Sequence, residues 1–421
     1  MRFKTVLIFL GGIAVGGIAI FALLGLQGDG GEPAVAEKAG RPAWMAPPAA
    51  SAPPQREEKE RELIVGVIGP ETGAEANYGL AVLTGITMAA ERFNAQGGLR
   101  GEKIKIIHHD NSGGSGQALD IAEALIKKNV VAIFSAPTGW STFAPTHLVN
   151  GAHTVFISIG TRRKISRSGS YIFHFALPDE VAIDEILGHA VKQLGYRNFA
   201  LITSSSYDYS LSIASLFKQA VPRHGGKILL EADTYDTFSG QTDIGKVTAA
   251  LKTGSDELQA IIFTGGVQEA ALLAKAAKTA GGPVLPMIGG EDLFSGTFLK
   301  QGGPAVRGAL LYATFAPDHP SALVGDFVAA HKARKKAVPD RFTALAYDAF
   351  GLLAQALKDA PSLQGPAVRD ALVKLKTVEG VTGPGHWAAD GAPVKRPYLY
   401  RVAAGQSGEE FALVQTMTSK Q

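Results

Sequence analysis

The sequence predicts an α/β protein with two doubly wound parallel-sheet lobes, preceded by an N-terminal apolar helix. Three observations lead there. Continuous apolar runs ended by glycine or proline, such as ELIVGVIGP (62–70), have the form of parallel strands buried on both faces. They alternate with amphipathic helical stretches across loops of only a few residues. The alternation stops after SYIFHF (170–175) and restarts at NFALITSSS (198–206), which makes two sheets rather than one.

Each element has its own signal. From Tyr78 to Asn94 the apolar positions Leu80, Leu83, Ile86, Ala90 and Phe93 recur every three or four residues, giving a helix with one apolar face. Gly97-Gly98 supplies its left-handed end, and the strand EKIKIIHHD (102–110) follows. Helix 117–128, strand 130–136, helix 141–149 and strand 153–159 complete the first series. The second contains helix 210–223, strand 226–235, helix 244–251, strand 258–266, helix 267–280 and strand 283–290. After ALLYATFAP (309–317) come helices near 321–336, 343–357 and 367–376. YLYRVAAG and FALVQTM then close the chain as a hairpin.

Composition limits what this scaffold does. The 421 residues are 46% hydrophobic and 19% charged, enough for two or three cores. A net charge of +3, with no basic stripe interleaved with aromatics, excludes nucleic acid as the expected partner. The chain has no cysteine, which rules out disulfides, thiolate metal sites, a cysteine nucleophile and a lipid-modified N-terminal cysteine.

The N-terminus points to export. Arg2 and Lys4 precede 21 uncharged residues, Val6 to Leu26, close to the length of a membrane span and longer than a typical signal-peptide core. Two Gly-Gly pairs weaken the run, and the small-x-small site Ala34-Val35-Ala36 lies well beyond it. Residues 1–27 therefore read as an uncleaved anchor in preference to a cleaved signal. Both readings put the remainder outside the cytoplasm, because the positive residues stay inside. The expected location is the periplasm, with residues 6–26 as a tether to the inner membrane. Residues 28–61, rich in Gly, Ala and Pro before the charged lead-in QREEKERE, form a linker.

FNAQGGLRGEKIKIIHHDN (93–111) closely resembles the signature of branched-chain amino-acid-type (Leu/Ile/Val-binding-like) periplasmic solute-binding proteins, the receptors of ABC importers. IVGVIGPETGAEANYG, SYIFHF, IGGEDLF, LAYDAF and GVTGPGHWAADG follow in the same order, so the resemblance covers about 62–421. It implies a type I fold whose lobes, 62–178 with 317–377 and 179–313 with 382–421, are joined by a three-strand hinge around a ligand cleft. The implied function is capture of an amino acid or related carboxylate by lobe closure and delivery to an ABC permease in the inner membrane. It implies no catalysis and no cofactor. The alternative is a ligand sensor of the same fold that signals to a membrane or regulatory partner.

The resemblance also implies a site. APTGWSTF (136–143) and SIGTRR (158–163) match the loops that hold a ligand carboxylate, which points to Gly139, Ser141, Gly160 and Thr161. Glu291 in GGED matches the acid that meets a ligand ammonium, with Asp292 next to it. Tyr78, and Tyr207 or Tyr209 in SSSYDYS, match cleft-wall tyrosines, which offer apolar area with one polar tip. Tyr347 is expected in the core. Two departures stand out. Trp140 occupies a place where small hydroxyl residues are common, and narrows the pocket or stacks on a flat ligand. Arg162-Arg163-Lys164 follows Thr161; either one of them faces the cleft and favours an additional acidic group, or all are solvated loop charges.

Competing chemistry lacks a constellation. GQTDIGKV (240–247) has phosphate-loop spacing, but Val247 stands where Ser or Thr would bind Mg²⁺. His108 and His109 are neighbours in a strand and face opposite ways, a poor metal pair. There is no HExxH or GxSxG.

Overall fold

The computed structural model describes residues 62–206, 208–236, 239–254, 256–279 and 285–415. The apolar run Val6–Leu26, the linker and Tyr207 lie outside the described residues.

The first five strands are β1 (Glu62–Ile68), β2 (Lys103–His109), β3 (Ala132–Ser135), β4 (Val155–Ile159) and β5 (Ile172–Phe175). They form one parallel sheet in the order β2-β1-β3-β4-β5. Alternate residues leave opposite faces of a strand, and both faces are covered. Val65, Val67, Phe134, Ile157 and Phe173 enter one core with the return helix Arg341–Asp359. Ile133, Phe156 and Ile172 enter another with helix Ser115–Lys127.

The helix after β1 runs Ala76–Ala95. It ends as the double glycine requires: Gly97 and Gly98 have φ of 98° and 85°, and the Gly98 N–H returns to the Phe93 carbonyl at 2.9 Å. A side chain at Gly98 would place its Cβ 2.1 Å from the Glu102 carbonyl oxygen, so the short turn into β2 depends on that glycine.

The second sheet takes β6 (Asn198–Thr203), β7 (Lys227–Asp233), β10 (Ala260–Phe263), β11 (Met287–Gly289), β12 (Leu310–Ala313), β15 (Tyr398–Gly405) and β16 (Gly408–Gln415). Two-residue pairs, β8 (Tyr235–Asp236) with β9 (Gln241–Thr242) and β13 (His386–Trp387) with β14 (Pro393–Val394), stand outside it. Its order is β16-β15-β12-β11-β10-β6-β7. The sheet is parallel from β12 to β7, and the closing hairpin joins antiparallel at β12. Phe199, Leu201 and Ile262 face one core, and Ala200, Ile202 and Phe263 face the other.

Three elements differ from the sequence reading. Helix Asp179–Lys192 fills the gap between the two series, burying Ala182, Ile183, Ile186, Leu187 and Ala190. The helix expected over 141–149 is broken into Trp140–Phe143 and Thr146–Gly151, because Pro145 has no N–H to continue the ladder. A short helix, Gly296–Gly302, follows the GGED turn, capped by the Ser295 hydroxyl accepting from the Phe298 N–H.

The chain passes between the two sets of cores three times. It leaves β5 for helix Asp179–Lys192, leaves β12 for helix Ala322–Lys335, and leaves β14 for β15. Trp387 still belongs to the first core, donating from Nε1 to the His174 carbonyl at 2.7 Å. The segment before β13 is tied to the return helix by Asp348, whose carboxylate accepts from the Val381 and Thr382 N–H groups at 2.8 Å each.

Candidate functional site

Two loops from different sheets meet at one point. SIGTRR leaves the carboxyl end of β4 in the first sheet, and GGED leaves the carboxyl end of β11 in the second. Strand ends of doubly wound sheets collect such loops at one edge. Gly160 makes the exit from β4 with φ of 72°, and a Cβ there would lie 2.6 Å from the Phe342 ring. Thr161 is buried, its hydroxyl 2.5 Å from that of Ser158. That bond fixes the loop and turns the next side chain toward the second sheet.

That side chain is Arg162. Its Nη2 donates to Glu291 Oε2 at 3.2 Å and lies 3.6 Å from Asp292 Oδ1. The guanidinium also covers the Tyr209 ring, 4.5 Å from its centroid, as a planar cation on an aromatic face. Arg163 is exposed, and Lys164 pairs with Glu180 at 2.9 Å. Of the three basic residues, Arg162 is the one directed at the meeting point.

Glu291 is buried, with 6% of its surface exposed, and both oxygens of its carboxylate have partners. Oε1 accepts from the Thr314 N–H at 2.6 Å, while Oε2 faces Arg162 and, at 3.5 Å, Nε of Arg341. Arg341 also donates to Asp292 at 3.1 Å. Burial would raise Asp292, but the two arginines outweigh it and hold that carboxyl below its ordinary range. Asp179 opens the helix absent from the sequence reading and accepts from the Tyr209 hydroxyl at 2.9 Å. Burial pushes Asp179 up to about 6, with Arg162 and the Tyr209 hydroxyl pulling the other way.

The remaining sequence candidates surround this cluster less tightly. Gly139, with φ of 62°, precedes the short helix Trp140–Phe143. Ser141 is buried and spends its hydroxyl on Thr138, 2.5 Å from Oγ1 and 3.0 Å from the carbonyl oxygen. Trp140 is 76% exposed, and its ring lies 6.3 Å from that of Phe143 between centroids. Tyr78 packs edge-on to Phe342 at 5.1 Å and lines a cavity of about 680 Å³ with Phe342, Arg341, Glu291, Phe294 and Phe411. Tyr347 packs on Phe327 at 4.8 Å, partly buried, and accepts a hydrogen bond from Arg92.

Arg341 and Asp179 are the functional candidates that sequence reasoning missed. Arg341 lies fifty positions from Glu291 and no local motif marks it; only the return helix brings it back. Asp179 had a signal, an acid after Pro178 at the start of a periodic apolar stretch. Among the described residues no group of His, Asp and Glu is arranged to hold a metal ion. His108 instead bridges Glu71 through Nδ1 at 2.8 Å and the Gly69 carbonyl through Nε2 at 3.1 Å.

The family model for periplasmic binding proteins matches residues 62–408. The chain belongs to the periplasmic binding protein family. Membership makes it an extracytoplasmic binding protein and not an enzyme. The Leu/Ile/Val-binding protein homolog 3 of Brucella melitensis is 26% identical over 326 residues, 76% of this chain and 86% of the relative. A putative branched-chain amino acid ABC transporter structure from Rhodospirillum rubrum superposes with a TM-score of 0.73 at 26% identity, covering 84% of this chain and all of that one. The branched-chain amino acid transporter substrate binding protein of Streptococcus pneumoniae, solved with isoleucine, gives 0.65 at 25% identity with the same coverage. As a periplasmic binding protein, the chain has both sheets in the matched span except for most of β16. No helix among the described residues is long and apolar enough to cross a membrane.

Proposed function

We propose that this protein is the solute receptor of an ABC importer, which captures a small carboxylate between two lobes and presents it to a permease. The observation that carries the reading is the contact between Arg162 and Glu291, which joins loops from the two sheets at their strand ends. The three crossings at 175–179, 313–322 and 394–398 act as the hinge, and the lobes close over the ligand as rigid bodies. The isoleucine bound to the Streptococcus pneumoniae relative and the name of the Brucella melitensis relative support a ligand of amino-acid size. The SIGTRR and APTGWSTF loops receive its carboxylate, and Tyr78, Tyr209 and Trp140 contribute the walls. Residues 6–26 keep the receptor at the inner membrane.

Thermal melting of the full-length chain against amino acids, 2-oxo acids, aromatic acids, dicarboxylates and amides tests this. A ligand at about a hundred times its Kd adds about 2.7 kcal/mol to stability. A rise in melting temperature with one or more of the acids is the expected result. No shift with any acid, from a preparation that melts cooperatively, would contradict the reading.

A further inference from the structure

We infer that the ligand of this receptor is a carboxylate without an α-ammonium group, because Arg162 already fills the place that an ammonium would take. This rests on the receptor reading above and narrows its ligand class.

Four charged side chains meet at one point. Glu291 and Asp292 bring two carboxylates, and Arg162 and Arg341 bring two guanidiniums, each in contact with both acids. These four charges balance, and Asp179 adds a third carboxylate near Arg162. Glu291 has Oε1 taken by the Thr314 N–H and Oε2 facing both arginines. Asp179, the third acid, accepts from the Tyr209 hydroxyl. An ammonium at Glu291 would have to share oxygens that already face Arg162, Arg341 and the Thr314 N–H, and it would be a third cation beside two others.

Displacement of Arg162 does not rescue an amine ligand. The guanidinium is tethered three residues beyond the last residue of β4, so its effective concentration at Glu291 is on the order of millimolar or more. It is also stacked on Tyr209 and shared between two acids, contacts that a small ammonium does not reproduce. A solute at micromolar concentration loses that competition. A 2-oxo, 2-hydroxy or unsubstituted acid has no such competitor, and its carboxylate enters a site where Arg162 and Arg341 neutralise Glu291 and Asp292. Arg162 is thus a specificity-determining residue. Its charge is spent on Glu291 and Asp292 rather than on an additional acidic group of the ligand.

Calorimetric titration of the full-length chain with matched pairs tests the inference: leucine against 4-methyl-2-oxopentanoate, and phenylalanine against phenylpyruvate and 3-phenylpropanoate. In at least one pair the acid lacking the amine is expected to bind about tenfold or more tightly than its amino acid, the scale of one charge-assisted contact. Arg162→Met should narrow or reverse that ratio by exposing Glu291 to the amine. A wild-type protein that prefers the amino acid in every pair that binds overturns the inference and leaves the receptor reading intact. A ratio unchanged in folded Arg162→Met overturns it as well. Binding of none of these five compounds to the wild-type protein overturns it too, and the receptor reading falls with it only if the wider acid panel also gives no melting shift.

Discussion

Arg162 and Glu291 stand 3.2 Å apart although they belong to different sheets, one at the end of β4 and the other at the end of β11. The side chain of Glu291 is 7% exposed and that of Arg162 is 20% exposed, so the pair is held largely away from water. Such a pair has asymmetric energetics. The intact pair adds little over apolar residues, whereas loss of one member strands the other.

Replacing Glu291 with Ala removes the acceptor of the Thr314 N–H and leaves Arg162 and Arg341 sharing Asp292. The expected loss is on the order of 3 kcal/mol in urea denaturation. The double variant Arg162→Met with Glu291→Met should recover at least half of it, since no buried charge is then left alone. A Glu291→Ala protein as stable as the parent would show that water reaches the pair freely.

His174 gives a pH dependence with a definite sign. It lies in β5, 5% exposed, and its Nδ1 has no partner among the described residues. Burial pushes its pKa down from 6.5 to about 4, with Asp390 opposing and Lys164 adding to the shift. The unfolded chain takes up a proton as pH falls through 6.5, and the folded chain resists until about 4. Stability should therefore fall as pH drops across that window, by on the order of 3 kcal/mol from this group. Denaturation at pH 7 and pH 4.5 checks it: His174→Leu should lose less stability between the two than the parent. Parallel losses would assign the effect to other groups.

Gly160 sets the path of the Thr161–Arg162 loop. Its φ of 72° opposes any substitution, and so does the Phe342 ring, 2.6 Å from where a Cβ would stand. Gly160→Ala should cost on the order of 2 kcal/mol and weaken binding of whichever acid binds best. Gly116→Ala, in a helix with open space around it, should be neutral or slightly stabilising. Equal melting temperatures for the two variants would remove the special role of Gly160.

Much of this fold is legible in the sequence because its strands are buried on both faces and announce themselves as apolar runs. Glu62–Ile68, Ala132–Ser135 and Ala260–Phe263 fall inside such runs. Helix Asp179–Lys192 is equally periodic, but it lies where the chain passes from one sheet to the other and so has the look of a connection. The loops of the site are legible by resemblance, and their charge pairing is not. Arg341 reaches Asp292 only after the chain has left the second sheet, run along helix Ala322–Lys335 and turned into helix Arg341–Asp359. No spacing in the sequence records that return. The direction of Arg162 likewise depends on Gly160 and on the Ser158–Thr161 hydroxyl contact, which are properties of the folded loop.

The central claim is that one ligand is held by both lobes at once, and hydrogen–deuterium exchange tests it most directly. The full-length chain should be compared with and without a saturating concentration of the tightest-binding acid from the matched pairs. The account predicts added protection in four segments together: 136–143 and 158–163 of the first lobe, and 203–210 and 289–295 of the second. Protection confined to one lobe, or centred away from these strand ends, would contradict it.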